Sequence, residues 1–210
     1  MKKIICLILA VITCFALCSC SGNKNNIKTD ETTAPQSQNE NVSKDVSAGK
    51  SKTLVVYFSA TGSTQRAAQL IADKLGADLF VIEPKDAYTS DDLNYNDKQS
   101  RVCLEHDDES KRNIELKTTT PDNWNDYDTV FIGYPIWWGI AAWPVDSFVK
   151  SNDFSNKTVV PFCTSASSPL GESANNLKAE SNGGTWLDGM RFSSNEDEKA
   201  ITDWAESIIK

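Results

Sequence analysis

Between residues 53 and 210, short apolar runs alternate with amphipathic stretches, and glycine, proline or polar residues separate them. The first of these runs, over residues 53–58, is rich in β-branched and aliphatic side chains and carries no charge, a pattern typical of a strand buried on both faces of a parallel sheet. Five runs predict strands, over residues 53–58, 78–83, 128–133, 158–163 and 185–190. Helical spacing predicts a helix over 65–75 and a last helix opened by a capping box of Ser193 and Glu196. This alternation predicts an α/β domain.

The N-terminal residues follow a different pattern. A charged start and an apolar run over residues 4–17 form a segment too short to span a membrane as a permanent helix, so residues 1–19 are predicted to be a signal peptide. The sequence Leu17-Cys18-Ser19-Cys20 resembles the bacterial lipobox, which implies cleavage before Cys20 and diacylation of its sulfur. The alternative is an ordinary secretory signal with an incidental cysteine. Both interpretations predict a protein that works outside the cytoplasm, and the lipobox further predicts anchoring to the bacterial cell membrane.

Residues 20–52 are rich in Asn, Ser, Thr, Lys and Gln and carry almost no large apolar side chain. Such a segment buries too little apolar surface to offset the entropy of ordering, so we expect a disordered, lipid-anchored tether. The remaining residues, 53–210, have the size of one domain. Within that domain, the polar segment 85–125 is expected to form a solvated helix and loop.

The turn after the first predicted strand is rich in hydroxyl groups. This hydroxyl loop reads Ser59-Ala60-Thr61-Gly62-Ser63-Thr64 and leads into the helix predicted over 65–75. Backbone N–H groups at such a helix start favour an anion, and the hydroxyls add further donors. The loop lacks the Gly-Lys-Ser/Thr of a P-loop and the three spaced glycines of a dinucleotide-binding turn. The alternative is that its hydroxyls merely cap the helix.

Four aromatic rings and two prolines follow the third predicted strand. This aromatic loop reads Tyr134-Pro135-Ile136-Trp137-Trp138-Gly139-Ile140-Ala141-Ala142-Trp143-Pro144. In a doubly wound sheet the first and third strands flank the switch point, so the aromatic loop is expected to face the hydroxyl loop across one crevice. An aromatic platform with nearby backbone polar groups suits a planar ring ligand. The alternative is a tryptophan-rich patch that docks a partner.

Both loops resemble those of a known family. Ser59-x-Thr61-Gly62-x-Thr64 resembles the FMN-phosphate loop of the flavodoxin family, and Tyr134-Pro135-x-Trp137-Trp138-Gly139 is similar to its flavin loop. The resemblance spans residues 53–210 in matching order. It implies a flavodoxin-like doubly wound three-layer sandwich, with a five-stranded parallel sheet of order 2-1-3-4-5 and FMN as the cofactor.

The resemblance also assigns the parts of FMN to positions in this chain. The phosphate is expected at the hydroxyl loop, through Ser59, Thr61, Gly62, Ser63 and Thr64. The isoalloxazine ring is expected at the aromatic loop, through Pro135, Ile136, Trp137, Trp138 and Gly139. The pyrimidine end of the ring is expected at residues 164–171, which we call the third loop, through Thr164, Ser165 and Gly171.

Cysteine, histidine and charge disfavour several other functions. Four of the six cysteines fall in residues 1–20, so the domain keeps only Cys103 and Cys163, without a disulfide framework or metal-type spacing. The single histidine, His106, is expected at the surface and leaves little room for a His-based metal site or a Ser-His-Asp triad. Residues 53–210 carry 14 Lys and Arg against 25 Asp and Glu, a net charge of −11 that disfavours nucleic-acid binding.

Together these features predict an FMN-binding redox protein, either an electron carrier or a reductase. Its partner is expected to be a redox protein or a small-molecule electron acceptor. Because the sequence carries no separate NAD(P)H fingerprint, a carrier or reductase supplied by a membrane partner is favoured over an FMN-dependent NAD(P)H:quinone-type oxidoreductase. An interaction protein that kept the fold and lost the flavin is an alternative of another class, and the intact hydroxyl loop argues against it.

Overall fold

The computed structural model describes residues 51–210, so the predicted signal peptide, the lipobox and nearly all of the predicted tether lie outside the described residues. This part of the chain contains seven strands: β1 Thr53–Tyr57, β2 Asp78–Val81, β3 Thr129–Trp137, β4 Ile140–Ala141, β5 Thr158–Thr164, β6 Thr185–Trp186 and β7 Met190–Phe192. It also contains five α-helices: α1 Ser63–Leu75, α2 Arg101–Asp107, α3 Trp143–Ser151, α4 Ser173–Glu180 and α5 Glu198–Ile209. None of the helices between residues 51 and 210 is long and apolar enough to cross a membrane.

The sheet has the predicted parallel order. Its strands lie in the order β2-β1-β3-β5-β6, and every neighbouring pair along this path is parallel. The short β4 pairs with β3 in the antiparallel direction, and β7 pairs in parallel with the end of β5. Because β5 and β6 correspond to the fourth and fifth predicted strands, the order 2-1-3-4-5 is confirmed.

The predicted fifth strand over residues 185–190 is divided in two. β6 pairs with the start of β5, and β7 pairs with its last three residues. The gap lies beside Pro161, which has no N–H to donate to a neighbouring strand. Gly189 lies close to Pro161 in this gap, where an added Cβ would come within 2.8 Å of the Pro161 carbonyl oxygen. A single continuous strand therefore does not form.

Helices cover both faces of the sheet. Alternate residues of β1 contribute to two different cores, because successive side chains of a strand point to opposite faces. Leu54 and Val56 pack in the core that includes residues of α3 and α4, whereas Val55 and Tyr57 pack with residues of α1 and α5. The domain is therefore a three-layer sandwich, as predicted.

The structure corrects the predicted end of the third strand. β3 continues through Pro135, which pairs in register with Thr164, and ends only at Trp137. The chain then folds back into β4 through Trp138 and Gly139, whose φ angles are 46° and 84°. Two positive φ angles are characteristic of the type I′ turn of a two-residue hairpin. The predicted aromatic loop is therefore largely a β-hairpin followed by the start of α3.

The segment 85–125 is less solvated than predicted. It contains α2 and two short 3₁₀ helices, Glu109–Arg112 and Trp124–Asp126. Val102 and Ile114 of this segment form a small buried core with Trp143, the first residue of α3. The segment therefore packs against the base of the aromatic hairpin.

The last helix begins later than the capping box predicts. The Glu196 carboxylate accepts hydrogen bonds from the N–H and the hydroxyl of Ser193, at 3.0 and 2.9 Å. However, α5 starts at Glu198, and its N-cap is Asp197, whose carboxylate accepts from two N–H groups of the first turn. Ser193 and Glu196 therefore form a turn that precedes the helix.

Candidate functional site

The C-terminal ends of β1, β3 and β5 border a cleft of about 390 Å³, a size that suits a small-molecule or cofactor site. It is lined by Ser59, Ala60, Thr61, Ser63, Thr64, Leu93, Tyr95, Val102, Pro135, Ile136, Trp137, Trp138, Thr164, Ser165, Ala166 and Ser194. None of these lining residues is charged. The doubly wound topology thus brings the hydroxyl loop and the aromatic hairpin to one site, as the sequence predicts.

The hydroxyl loop leaves the start of α1 open. Gly62 has a φ of 94°, a conformation that favours glycine, and its N–H donates to Ser59 Oγ at 3.1 Å. α1 begins at Ser63, and no side chain caps its N-terminus. Its first N–H groups and the positive end of the helix dipole therefore lie at the cleft without a side-chain partner. This arrangement does not match the alternative in which the hydroxyls only cap the helix.

The two threonines of the hydroxyl loop differ in their surroundings. Thr64 is only 1% exposed, and its hydroxyl lies 2.7 Å from the hydroxyl of Thr164 at the end of β5. This hydrogen bond ties the start of α1 to the third loop. Thr61 is exposed at the cleft and makes no hydrogen bond through its hydroxyl within residues 51–210. Thr61 is therefore the freer donor for a ligand.

Only two of the four aromatic rings line the cleft, Trp137 and Trp138. Tyr134 is fully buried, its hydroxyl lies 3.1 Å from Ser173 Oγ, and burial raises its pKa above the usual range of a tyrosine. Trp143 is also fully buried and packs against both lining tryptophans, with ring centroids 5.4 and 6.1 Å away. The expected platform of four rings is thus a pair of rings supported by a third.

Trp138 lies at the mouth of the cleft in an unusual backbone conformation. Its φ of 46° is uncommon for a bulky residue, and 44% of its surface is exposed. The ring of His106 stacks on the Trp138 indole, with 4.4 Å between centroids and 24° between planes. His106 is partly exposed, as expected, but α2 also brings it to the rim of the site.

A buried polar network supports the hairpin from behind. Glu105 is 4% exposed and accepts hydrogen bonds from the Tyr88 hydroxyl and from Arg101 Nε, both at 2.7 Å. The Tyr88 ring packs edge-on against Trp137, with 5.2 Å between centroids. Burial, together with the hydrogen bond to Glu105, raises the pKa of Tyr88 well above its usual range, so its hydroxyl remains a donor at neutral pH.

The cleft contains most of the cofactor-binding residues predicted from the sequence. The exceptions are Gly62, Gly139 and Gly171, which have positive φ angles and shape the surrounding turns. Sequence reasoning assigned no site role to six further lining residues: Ala60, Leu93, Tyr95, Val102, Ala166 and Ser194. Leu93, Tyr95 and Val102 are apolar or aromatic residues in the otherwise polar segment 85–125. That contrast was the sequence signal that could have indicated their role in the site.

The potential metal-ligating side chains of the described residues do not cluster, and both cysteines there are buried. Between residues 51 and 210, no group of histidine, cysteine and carboxylate side chains could hold a metal ion. Cys103 and Cys163 are both free and buried. Burial raises the pKa of Cys163 to about 12, so this thiol stays protonated at neutral pH.

Comparison with known protein families shows which family the chain belongs to. A flavodoxin family model matches residues 52–208, which include the whole sheet and every residue of the cleft. The chain belongs to the flavodoxin family. It therefore has the fold of a family of flavoproteins, and its own cleft lies between the hydroxyl loop and the aromatic hairpin.

Solved structures agree with this assignment. A proposed flavoprotein from Bacteroides eggerthii is 43% identical to this chain, with a TM-score of 0.68 over 77% of this chain and 99% of its own. One from Bacteroides uniformis is 37% identical, with a TM-score of 0.68 over 74% of this chain and 98% of its own. A Lactobacillus acidophilus flavoprotein in complex with FMN shares the fold at 22% identity, with a TM-score of 0.56 over 75% of this chain and 99% of its own. No match among curated proteins reached significance.

Proposed function

We propose that this protein binds FMN without a covalent bond and serves as a redox protein, either an electron carrier or a reductase. One observation carries the proposal: an uncapped helix start and two tryptophans line the same uncharged cleft. The helix start suits a phosphate group, and the indoles suit a planar ring. The FMN complex of the Lactobacillus acidophilus flavoprotein, which has the same fold, supports the same ligand.

The residues of the cleft fit the two ends of FMN. The hydroxyls of Thr61 and Ser63, with the first N–H groups of α1, would hold the phosphate, and Trp137 and Trp138 would hold the ring. Bound FMN would supply the electron-transfer chemistry. The chain's own contribution is to orient the ring, limit its exposure to water and set the surrounding potential. The net charge of −11 over residues 53–210 disfavours additional negative charge on the ring and is expected to lower its potential.

An anaerobic reductive titration tests the redox role. The purified protein, loaded with FMN and freed of excess ligand, should lose its visible flavin absorption on addition of dithionite and regain it in air, with the flavin retained throughout. A protein that retains no flavin after gel filtration, or releases it on reduction, would contradict the proposal and favour the flavin-free interaction protein.

We further propose that a lipid on Cys20 anchors the protein to the outer side of the bacterial cell membrane, where a membrane redox protein or a small-molecule acceptor is its partner. The support is the lipobox Leu17-Cys18-Ser19-Cys20. Cys20→Ala should move the protein from the membrane fraction to a soluble or unprocessed form, while Cys18→Ala, the matched control, should leave it anchored. Membrane association of the Cys20→Ala variant at the wild-type level would refute the anchor.

A further inference from the structure

The first part of the third loop is held by an arginine that lies outside the cleft. Arg191 of β7 donates from Nε to Ser165 Oγ at 3.0 Å, and from Nη2 to the carbonyl oxygens of Ser165 and Ala166 at 2.8 and 2.9 Å. Ser165 Oγ in turn donates to the Ser168 carbonyl. One guanidinium group therefore fixes the backbone on which two cleft-lining residues lie.

The split of the fifth strand places Arg191 at this position. β7 pairs with the end of β5, and Arg191 is in register with Cys163, immediately before the third loop. The break beside Pro161 allows this second pairing after β6 has ended. The arginine thus lies directly beside the C-terminal end of the strand that carries Thr164 and Ser165 into the cleft.

The hydrogen bonds to Arg191 determine which polar groups the loop offers. The carbonyl oxygens of Ser165 and Ala166 are directed at the guanidinium, so they are occupied as acceptors. The N–H groups of Ala166 and Ser167 make no hydrogen bond within residues 51–210. The loop therefore has unpaired N–H donors and lies beside the positive charge of Arg191, so it suits the edge of a ring that carries hydrogen-bond acceptors. The interaction should strengthen when that edge gains negative charge.

We propose that Arg191 is a positioning residue for the ring end of the cofactor, and that it supplies the positive charge that the cleft lining lacks. The inference rests on the proposed binding of FMN. Arg191 fixes residues 164–168 in a donor-rich conformation and favours the reduced, more negative ring. The phosphate end depends on the hydroxyl loop instead, so loss of Arg191 affects the two ends of the ligand differently.

Three variants test this role. Arg191→Met removes the charge and the hydrogen bonds, whereas Arg191→Lys keeps the charge but lacks the planar guanidinium group. The control, Lys150→Met, removes a charge from the surface of α3, where Lys150 pairs with Glu180 at 3.1 Å. In Arg191→Met, the dissociation constants of FMN and riboflavin should both rise, by about tenfold or more, with their ratio unchanged. The midpoint potential should fall, and amide exchange in residues 164–168 should accelerate in the ligand-free protein.

The other variants separate charge from hydrogen bonding. Arg191→Lys should restore the potential but leave exchange and riboflavin affinity between those of the wild type and Arg191→Met, and Lys150→Met should match the wild type. The proposal would be overturned if either Arg191 variant had the riboflavin affinity and the amide exchange of the wild type. If Arg191→Met does not fold, Arg191→Lys alone provides this test. If the wild type binds no FMN, the proposed function fails, and amide exchange alone still decides whether Arg191 fixes the loop.

Discussion

At the scale of single residues, two threonines three positions apart have different roles. The Thr61 hydroxyl is exposed at the cleft, whereas the Thr64 hydroxyl is buried against that of Thr164 at 2.7 Å. Substitution of Thr64 would leave the buried Thr164 hydroxyl without its partner, a loss that costs about 1–3 kcal/mol of stability. An effect on ligand affinity alone is therefore expected only at Thr61.

Thr61→Ala should weaken FMN binding about tenfold or more, because a hydrogen bond to a charged group contributes about 1.5–3 kcal/mol. Riboflavin lacks the phosphate, so its dissociation constant should hardly change. Trp137→Ala is the matched comparison and should weaken both ligands alike, since both carry the same ring. Fluorescence titrations measure the four constants, and an equal loss of both ligands in Thr61→Ala would show that this residue supports the fold instead of the phosphate.

Trp138 combines a positive φ with an exposed ring, which suggests that it is retained for contact with a ligand. Asn adopts this conformation far more readily than a β-branched residue. We therefore expect Trp138→Asn to be more stable than Trp138→Val, by on the order of 1 kcal/mol in urea unfolding, while both bind riboflavin more weakly than the wild type. A Val variant as stable as the Asn variant would mean that the turn relaxes out of the type I′ conformation.

At the scale of secondary-structure elements, α3 carries a partly buried carboxyl group, that of Asp146. Burial raises the pKa of Asp146 to about 7, and the nearby Glu180 adds to the effect. The ordinary pKa of 3.8 applies to the unfolded chain, so the native state binds more protons between these values. The native state is therefore favoured by this group at low pH and loses that advantage as the pH rises towards 7.

Asp146→Asn removes this titration. At pH 8 the variant should be more stable than the wild type by on the order of 2–4 kcal/mol, and the difference should shrink towards pH 5. Urea unfolding of both proteins at the two pH values measures the effect. A stability difference that does not depend on pH would show that Asp146 is ionised in the native protein.

Local sequence patterns predicted the elements that have strong apolar periodicity, and missed those that do not. β1, β3, β5 and α1 have several buried apolar residues each, whereas Leu177 is the single large apolar residue buried in α4. The third strand was predicted too short because the prolines Pro135 and Pro144 indicated a loop that began at Tyr134. In the structure Pro135 still pairs with Thr164 near the end of the ladder.

At the scale of the whole molecule, the sheet order and the meeting of two loops were predictable, because doubly wound topology fixes which strand ends are neighbours. The rest depends on contacts between residues distant in sequence. Tyr95 reaches the cleft from a long crossover, and Arg191 bonds to residues that are about 25 positions away in the chain. An aromatic residue in a polar segment was the only local signal for Tyr95, and the hydrogen bonds of Arg191 leave no local pattern, so these roles follow only from the structure.

The most direct measurement is a titration of the purified protein with FMN and with riboflavin, followed by flavin fluorescence. We predict quenching by the stacked indoles of Trp137 and Trp138, saturation at micromolar protein, and tighter binding of FMN than of riboflavin, which would leave the donors of the hydroxyl loop without an anion. Unchanged fluorescence of both ligands at micromolar protein, or equal affinity for the two, would contradict a cleft built for a flavin phosphate.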